Sequence, residues 1–512
     1  MTRLHLSLGL LCLVAIGRPT PAAAQDDTPF ARFNRARQQR FDDFNEKRRQ
    51  RFEAFRRQRN EAFARYIRKG WRPVEPQPVV PRPDDDRVPP VVVPHDEVKP
   101  PAPQPRPVPI KEVVPTPDTV PQPQPVEPIL EVPIDTVRPQ PVSYRAFTFY
   151  GTSARVRYDN RQAFRLKRLD ENAIADAWLR LSETDYTNLV YDCLQLRTTH
   201  RLCDWAYLQM LEQMADAVCG KGTNEAVLLM AYVYCQSGYK MRLAIGDGRL
   251  YMLFASAHLI FHWGYYTDRG ERWYAYNKKE GSVRMCPQQY PKERPMSLLL
   301  TQAPALAYAP VAGTPHHSTR YTPLDVRVDA CRNMLAFYSA YPTSTVGDNF
   351  VVRWAMYANM PMPEHIRRAL YPTLRRHIAG LDQLAAANRL LQWVQTGFVY
   401  EYDDKVWGHD RAFFPEESLY YPACDCEDRA ILYTRLMRDL LGLDCLLVYY
   451  PGHLAAAVAF TEGTPTGDYL LLDSRRYFVA DGTILGYGAS VGTTMTGMDN
   501  AGAKVIRLDA TR

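Results

Sequence analysis

Three side chains in the last quarter of the chain have the types and settings for acyl-transfer chemistry: Cys426, His453 and Asp481. Cys426 precedes an amphipathic run with Ala430, Tyr433, Met437, Leu440 and Leu441 on one face and Gly442 as a stop, so the spacing predicts a helix beginning at the cysteine. Free N–H groups at a helix start favour a thiolate, whereas Glu427 and Asp428 in the first turn oppose it. The segment from Gly452 to Phe460 alternates as a strand, with Leu454, Val458 and Phe460 on one face. His453 shares the other face with Ala455, Ala457 and Ala459, residues small enough for a helix to pack close. A further strand, Tyr477–Asp481, ends in a carboxylate before Gly482. If the two strands pair, Asp481 can orient the His453 ring, and His453 can serve as the base for the thiol.

The elements that must position these groups follow from periodicity. A hairpin is predicted over 147–158, and helices over 172–181, 202–218, 225–236, 326–338, 364–370 and 381–395, before about 90 residues of mixed helix and strand. A shift of 204 positions sets Gly222–Asn277 on Cys426–Asp481 without a gap, with Gly222, Arg249 and Asn277 at the three chemical positions. Residues 222–277 would then be a degenerate copy without the reactive groups.

Other candidates carry less. Glu416 and Glu417 follow a proline and read as first-turn acids. Asp403, Asp404 and Asp410 lack the spaced loop of a calcium site, and His316 and His317 sit in a polar loop expected to face solvent. No zinc spacing, phosphate loop or serine-hydrolase elbow occurs, so neither metal nor cofactor is expected.

The N-terminal third is built differently. Arg3, the apolar run Leu4–Ile16 and Ala22-Ala23-Ala24 read as a signal peptide over 1–24, which implies export to the periplasm or cell surface with no membrane anchor in the mature chain. Removing Cys12 leaves nine cysteines, an odd number and too sparse for a disulfide scaffold. Aromatic residues at 30, 33, 41, 44, 52, 55, 63 and 66 follow an 11-residue period, which predicts one stripe along a basic helix over 28–70. Residues 30–70 hold 14 Lys/Arg against 5 Asp/Glu, while the whole chain carries only +7, so the remainder gives no sign of specific nucleic-acid binding. The stripe offers self-association through residues 30–66, or docking on a protein or an anionic surface. Residues 72–143 contain 23 of the 41 prolines and no aromatic residue, and so read as a disordered, extended spacer over 71–143.

Asp425-Cys426-Glu427-Asp428-Arg429-Ala430 with its helix, Pro451-Gly452-His453 and Tyr477–Asp481 together resemble the transglutaminase-like superfamily. Residues 390–402 with 413–430 resemble exported bacterial members of it. The resemblance spans about residues 385–492. It implies an α+β fold with a papain-like core, in which a helix bearing the cysteine packs on an antiparallel sheet bearing the histidine and aspartate. It also implies a catalytic triad of Cys426, His453 and Asp481 acting on a protein or peptide amide, with hydrolysis favoured over transamidation. Asp481-Gly482-Thr483 departs from the family's Asp-Pro-Thr, and Cys424 is not part of its pattern. Gln395 and Trp407 are the nearby side chains considered for an oxyanion, and the Cys426 backbone N–H is the preferred donor. The expected organisation is an α/β domain over 144–290, a helical connection over 291–384 and the catalytic domain over 385–512. The competing class is a non-catalytic envelope assembly protein that uses the same module for binding and the helical arm for oligomerisation.

Overall fold

The computed structural model describes residues 28–81, 90, 92–93, 100–133, 141–276, 281–287, 289–318, 324–347, 349–463, 465–486, 488–498 and 503–510. The expected signal peptide, 1–24, and Asn277 lie outside them. The chain divides into two units, Met1–Ala54 and Phe55–Arg512. Among the described residues no helix is long and apolar enough to cross a membrane.

In the first unit every described residue after Thr28 is helical, part of a helix that runs Pro29–Ile67. The Thr28 hydroxyl accepts the Ala31 N–H at 3.1 Å, capping the helix start. Phe30, Phe33, Phe41 and Phe44 are exposed. In the second unit one ring of the periodic stripe, Phe63, turns inward. Phe63, Ala64 and Ile67 are buried, and the Phe63 ring lies 5.0 Å from Trp178 and 5.4 Å from Tyr290. Phe63 is therefore core, whereas Phe55 and Tyr66 of the same repeat remain exposed.

The second unit is a mixed α+β structure built on two seven-stranded sheets. Across the first, the strands run Arg72–Val74, Val283–Met285, Met241–Gly246, Arg249–Phe254, Glu271–Ala275, Tyr265–Asp268 and Pro76–Gln77. Across the second they run Pro105–Pro107, Gly467–Leu472, Arg475–Ala480, His453–Val458, Cys445–Tyr450, Lys504–Arg507 and Glu112–Val114. Met241–Gly246 and Arg249–Phe254 recur 204 positions on as Cys445–Tyr450 and His453–Val458, and Glu271 has its counterpart in Arg475, in the same order across the sheet. Helix Asn224–Gln236 holds the place in the first half that helix Cys426–Leu436 holds in the second.

The proline-rich segment corrects the expectation of a free spacer. Its described residues supply both edges of both sheets. Proline lacks an N–H and is confined to such edges, so a composition that cannot build a core can still finish one. Between the two edge strands of the second sheet the chain crosses the sheet face. Val108 N–H donates to Tyr469 at 2.7 Å and Lys111 N–H to Ala503 at 2.9 Å, while Val108 and Ile110 pack on Ala455, Ala457 and Val479. Arg106 clamps buried Asp468 through two bonds of 2.6 and 2.9 Å. Further on, Asn188 holds Val132 through both its N–H and its carbonyl, at 2.8 and 3.1 Å. Gly238 has φ +93°, and a Cβ there would lie 2.1 Å from the Gln124 carbonyl, so only glycine admits the strap at that point.

Elsewhere the predicted helices shift at their ends. The expected helix over 326–338 begins only at Arg332, because Asp325–Val326 and Asp329–Cys331 are strands. Helix Glu364–Ile378 continues through Pro372. His316, expected in solvent, is buried: its ring stacks on Phe398 at 4.1 Å and Nε2 donates to the Leu419 carbonyl at 3.1 Å. His317 beside it is exposed. Burial lowers the His316 pKa from 6.5 to about 4. The unfolded chain therefore takes up this proton first as pH falls, and stability that is complete above about 6.5 declines toward pH 4. At pH 5 the His316 contribution is a loss of about 2 kcal/mol. Urea denaturation at pH 7 and pH 5 is expected to show a smaller decline for His316→Gln by that amount.

Candidate functional site

Helix Cys426–Leu436 packs through Ala430, Leu432, Tyr433 and Leu436 onto the core shared by Leu454, Ala456 and Val458. It continues as a wider turn, Met437–Leu441, and stops at Gly442, where φ is +67°. Its start is fixed by Asp428, whose carboxylate accepts the N–H groups of Phe413 at 2.7 Å and Asp425 at 3.4 Å.

The strand alternation corrects one expectation. The helix lies on the Leu454 face, not on the face of the small alanines, which instead sit beneath the proline-rich strap. His453 alternates with Ala455 and so faces away from the helix. Because it is the first residue of its strand, it stands at the end of the sheet, where Cys426 and His453 line a common cavity of about 60 Å³. The Leu454 N–H, next in the chain, points at the Cys426 sulfur.

His453 Nε2 is 2.8 Å from Asp481 Oδ2, and both residues are buried. Asp481 Oδ1 accepts the Thr483 N–H at 2.9 Å. The second imidazole nitrogen, Nδ1, is buried with no hydrogen-bond partner. The Cys426 thiol, half-buried, donates to Glu427 Oε2 at 3.3 Å rather than to the ring. Burial raises its pKa well above the usual thiol range, and the negative charges of Glu427 and Asp425 add to the shift.

No family model, curated protein or solved structure matches this chain. The site must be read from its own geometry.

Gln395 and Trp407 do not line the cavity. Gln395 is a brace behind Asp481: Nε2 donates to the Asp481 carbonyl at 2.7 Å and Oε1 accepts the Ala489 N–H at 2.9 Å. Trp407 packs on Tyr421 and Phe413, with the Arg411 guanidinium over its ring. Trp354, which sequence reasoning passed over, does line the cavity, and its indole N–H is buried without an acceptor. Gly482, the departure beside Asp481, lies against Arg429, and a Cβ there would stand 3.0 Å from the Arg429 Cβ. The nine cysteines are all free thiols. Cys424 is buried, with its pKa pushed up to about 11 by that burial, and it does not line the cavity.

Glu416 and Glu417 stand in the first turn of helix Pro415–Tyr420, as their position after a proline predicts, and both are buried. Glu416 is buried and accepts the Cys331 N–H at 2.7 Å and His365 Nε2 at 3.0 Å. Glu417 pairs with Arg411, and burial lifts its pKa to about 7. Asp403 and Asp410 come to the cavity beside Asp425 and Glu427, and Asp410 is paired with buried Arg353. Nothing in local sequence spacing joins residues 353, 403, 410 and 427; only the tertiary fold does.

Proposed function

We propose that this chain is an exported thiol enzyme of the transglutaminase-like, papain-like kind that transfers acyl groups from amides, with hydrolysis as its favoured outcome. The observation that carries this reading is the buried His453–Asp481 pair at 2.8 Å, whose unpartnered Nδ1 sits on a residue sharing one cavity with Cys426. Asp481 fixes the imidazole through Nε2, leaving Nδ1 as the base. Nδ1 takes the thiol proton as sulfur attacks the carbonyl carbon. The proton then passes to the leaving amine as the C–N bond breaks, giving a thioester. Water deprotonated by the same ring releases the acid and restores the thiol.

The Cys426 N–H, first in its helix and without an intrahelical acceptor, and the Trp354 indole N–H are donors available to a developing oxyanion. In the first half, Gly222 and exposed Arg249 stand at the positions of Cys426 and His453, and we read that half as a non-catalytic copy that supports the second.

The test uses the full mature chain and p-nitrophenyl acetate. Wild type is expected to release about one equivalent of p-nitrophenol in a burst, with acetyl on Cys426 by peptide mass spectrometry. Cys426→Ala, which keeps the other thiols, should show no burst; an equal burst would remove the nucleophile assignment.

A further inference from the structure

The exposed aromatic stripe of the N-terminal helix has no part in the acyl-transfer reading. Phe30, Phe33, Phe41 and Phe44 are 57–73% exposed. An 11-residue period makes three turns, about 98° per residue, so the layout of charge around the stripe follows from position. Arg37 stands four residues from both Phe33 and Phe41, and Arg48 four residues from both Phe44 and Phe52, which puts each arginine within the stripe. Both are exposed. In the second unit the next member of this column, Arg59, has its guanidinium 4.0 Å above the Phe55 ring, four residues earlier. The acids of residues 30–54 stand elsewhere. Asp42, Asp43, Glu46 and Glu53 all lie about 130° or more around the helix from the middle of the stripe. Gln38 donates to Asp42 at 2.9 Å, and Arg49 pairs with Glu46 and Glu53.

We propose that residues 30–54 dock on an anionic phospholipid bilayer, with the four phenylalanine rings at the boundary between headgroups and acyl chains and Arg37 and Arg48 on lipid phosphates. The charge layout selects this occupant over a second copy of the helix. Eight Lys/Arg against four Asp/Glu leave the segment at net +4, so two copies repel. A paired seam would also bury Arg37 and Arg48 among the rings with the acids of both copies on the far faces, and an uncompensated buried charge is strongly unfavourable. At a bilayer the same placement is favourable. Phenylalanine enters the boundary region, the arginine stem packs along the rings, and the guanidinium meets phosphate through paired N–H groups. The acids then face water, away from the negative lipid surface. This reading does not depend on Cys426, His453 or Asp481.

The test is sedimentation of the full mature chain with large vesicles of phosphatidylcholine, alone or with about one quarter phosphatidylglycerol. Binding to the phosphatidylglycerol vesicles is expected to be about tenfold tighter or more, and to be lost near about 1 M salt, where the screening length is about 3 Å. Arg37→Gln with Arg48→Gln should weaken it about 25-fold, about fivefold for each cation. Changing Phe30, Phe33, Phe41 and Phe44 together to serine should weaken it about tenfold or more. All six side chains are exposed, so both variants should melt at the wild-type temperature. Asp42→Asn with Asp43→Asn, on the opposite face, should bind at least as tightly as wild type. Equal binding to the two kinds of vesicle would overturn the proposal, as would undiminished binding by the arginine or the phenylalanine variant. So would a dimer in analytical ultracentrifugation that the serine variant dissolves, in a chain that sediments with neither vesicle; the stripe would then belong to a second copy.

Discussion

His453→Ala should slow acylation of Cys426 at pH 7 by about 10²–10⁴-fold, the usual contribution of a positioned base. The cause is local electrostatics. A helix start alone would help Cys426 ionise, but burial and the neighbouring Glu427 and Asp425 carboxylates drive its pKa the other way. A thiol that does not ionise unaided needs its proton removed during attack. The ring available for this is held on one side by Asp481 and has an unspent nitrogen on the other. Asp481→Asn should fall between wild type and His453→Ala, because asparagine keeps a polar contact to Nε2 but removes the charge that supports the imidazolium. The readout is the p-nitrophenol burst rate under chelator, with circular dichroism to establish that each variant is folded. Acylation of His453→Ala at the wild-type rate would leave the pair as packing, and the enzyme reading would fail.

The local signals at the site were legible because each is a short-range rule. A cysteine before an amphipathic run and a glycine after it bounded the Cys426 helix. Alternation from Gly452 placed His453 at the start of a strand, and a carboxylate before Gly482 marked the end of another. Alternation does not say which face of a sheet a helix will cover. The alanines at 455 and 457 looked like helix seats, yet they lie under Val108 and Ile110, more than 300 residues earlier in the chain. The same blindness hid the proline-rich strap. Composition argues against a core within residues 72–143 but could not show that two sheets elsewhere needed edges. The cavity acids were hidden for a third reason, since Arg353 and Asp410 meet only through tertiary packing. The Gln395 amide, a candidate oxyanion donor by type, is spent on the backbone of Asp481 and Ala489.

Arg429→Ala should destabilise the second unit by about 3–5 kcal/mol, the range for removing one partner from a buried charged network. Arg429 is fully buried in the Cys426 helix, and its guanidinium serves backbone carbonyls rather than a carboxylate. Nη2 donates to Phe398 at 2.7 Å, and Nη1 reaches the Gly482 carbonyl at 3.2 Å and Val394 at 3.4 Å. Val394 and Phe398 belong to the C-terminal end of helix Gln383–Gly397, where carbonyls lack intrahelical donors and a cation is favoured. Gly482 follows Asp481, so a single side chain joins the cysteine helix, a helix end and the loop that carries the carboxylate. Alanine would leave these carbonyls buried without a donor and open a cavity where the guanidinium lay. Arg429→Lys should lose less but not recover wild type, since an ammonium cannot fork toward both Phe398 and Gly482. Urea denaturation with tryptophan fluorescence gives the order wild type, lysine, alanine. An alanine variant within about 1 kcal/mol of wild type would mean that water replaces the guanidinium at those carbonyls, and that the positions of Cys426 and Asp481 are set by side-chain packing instead.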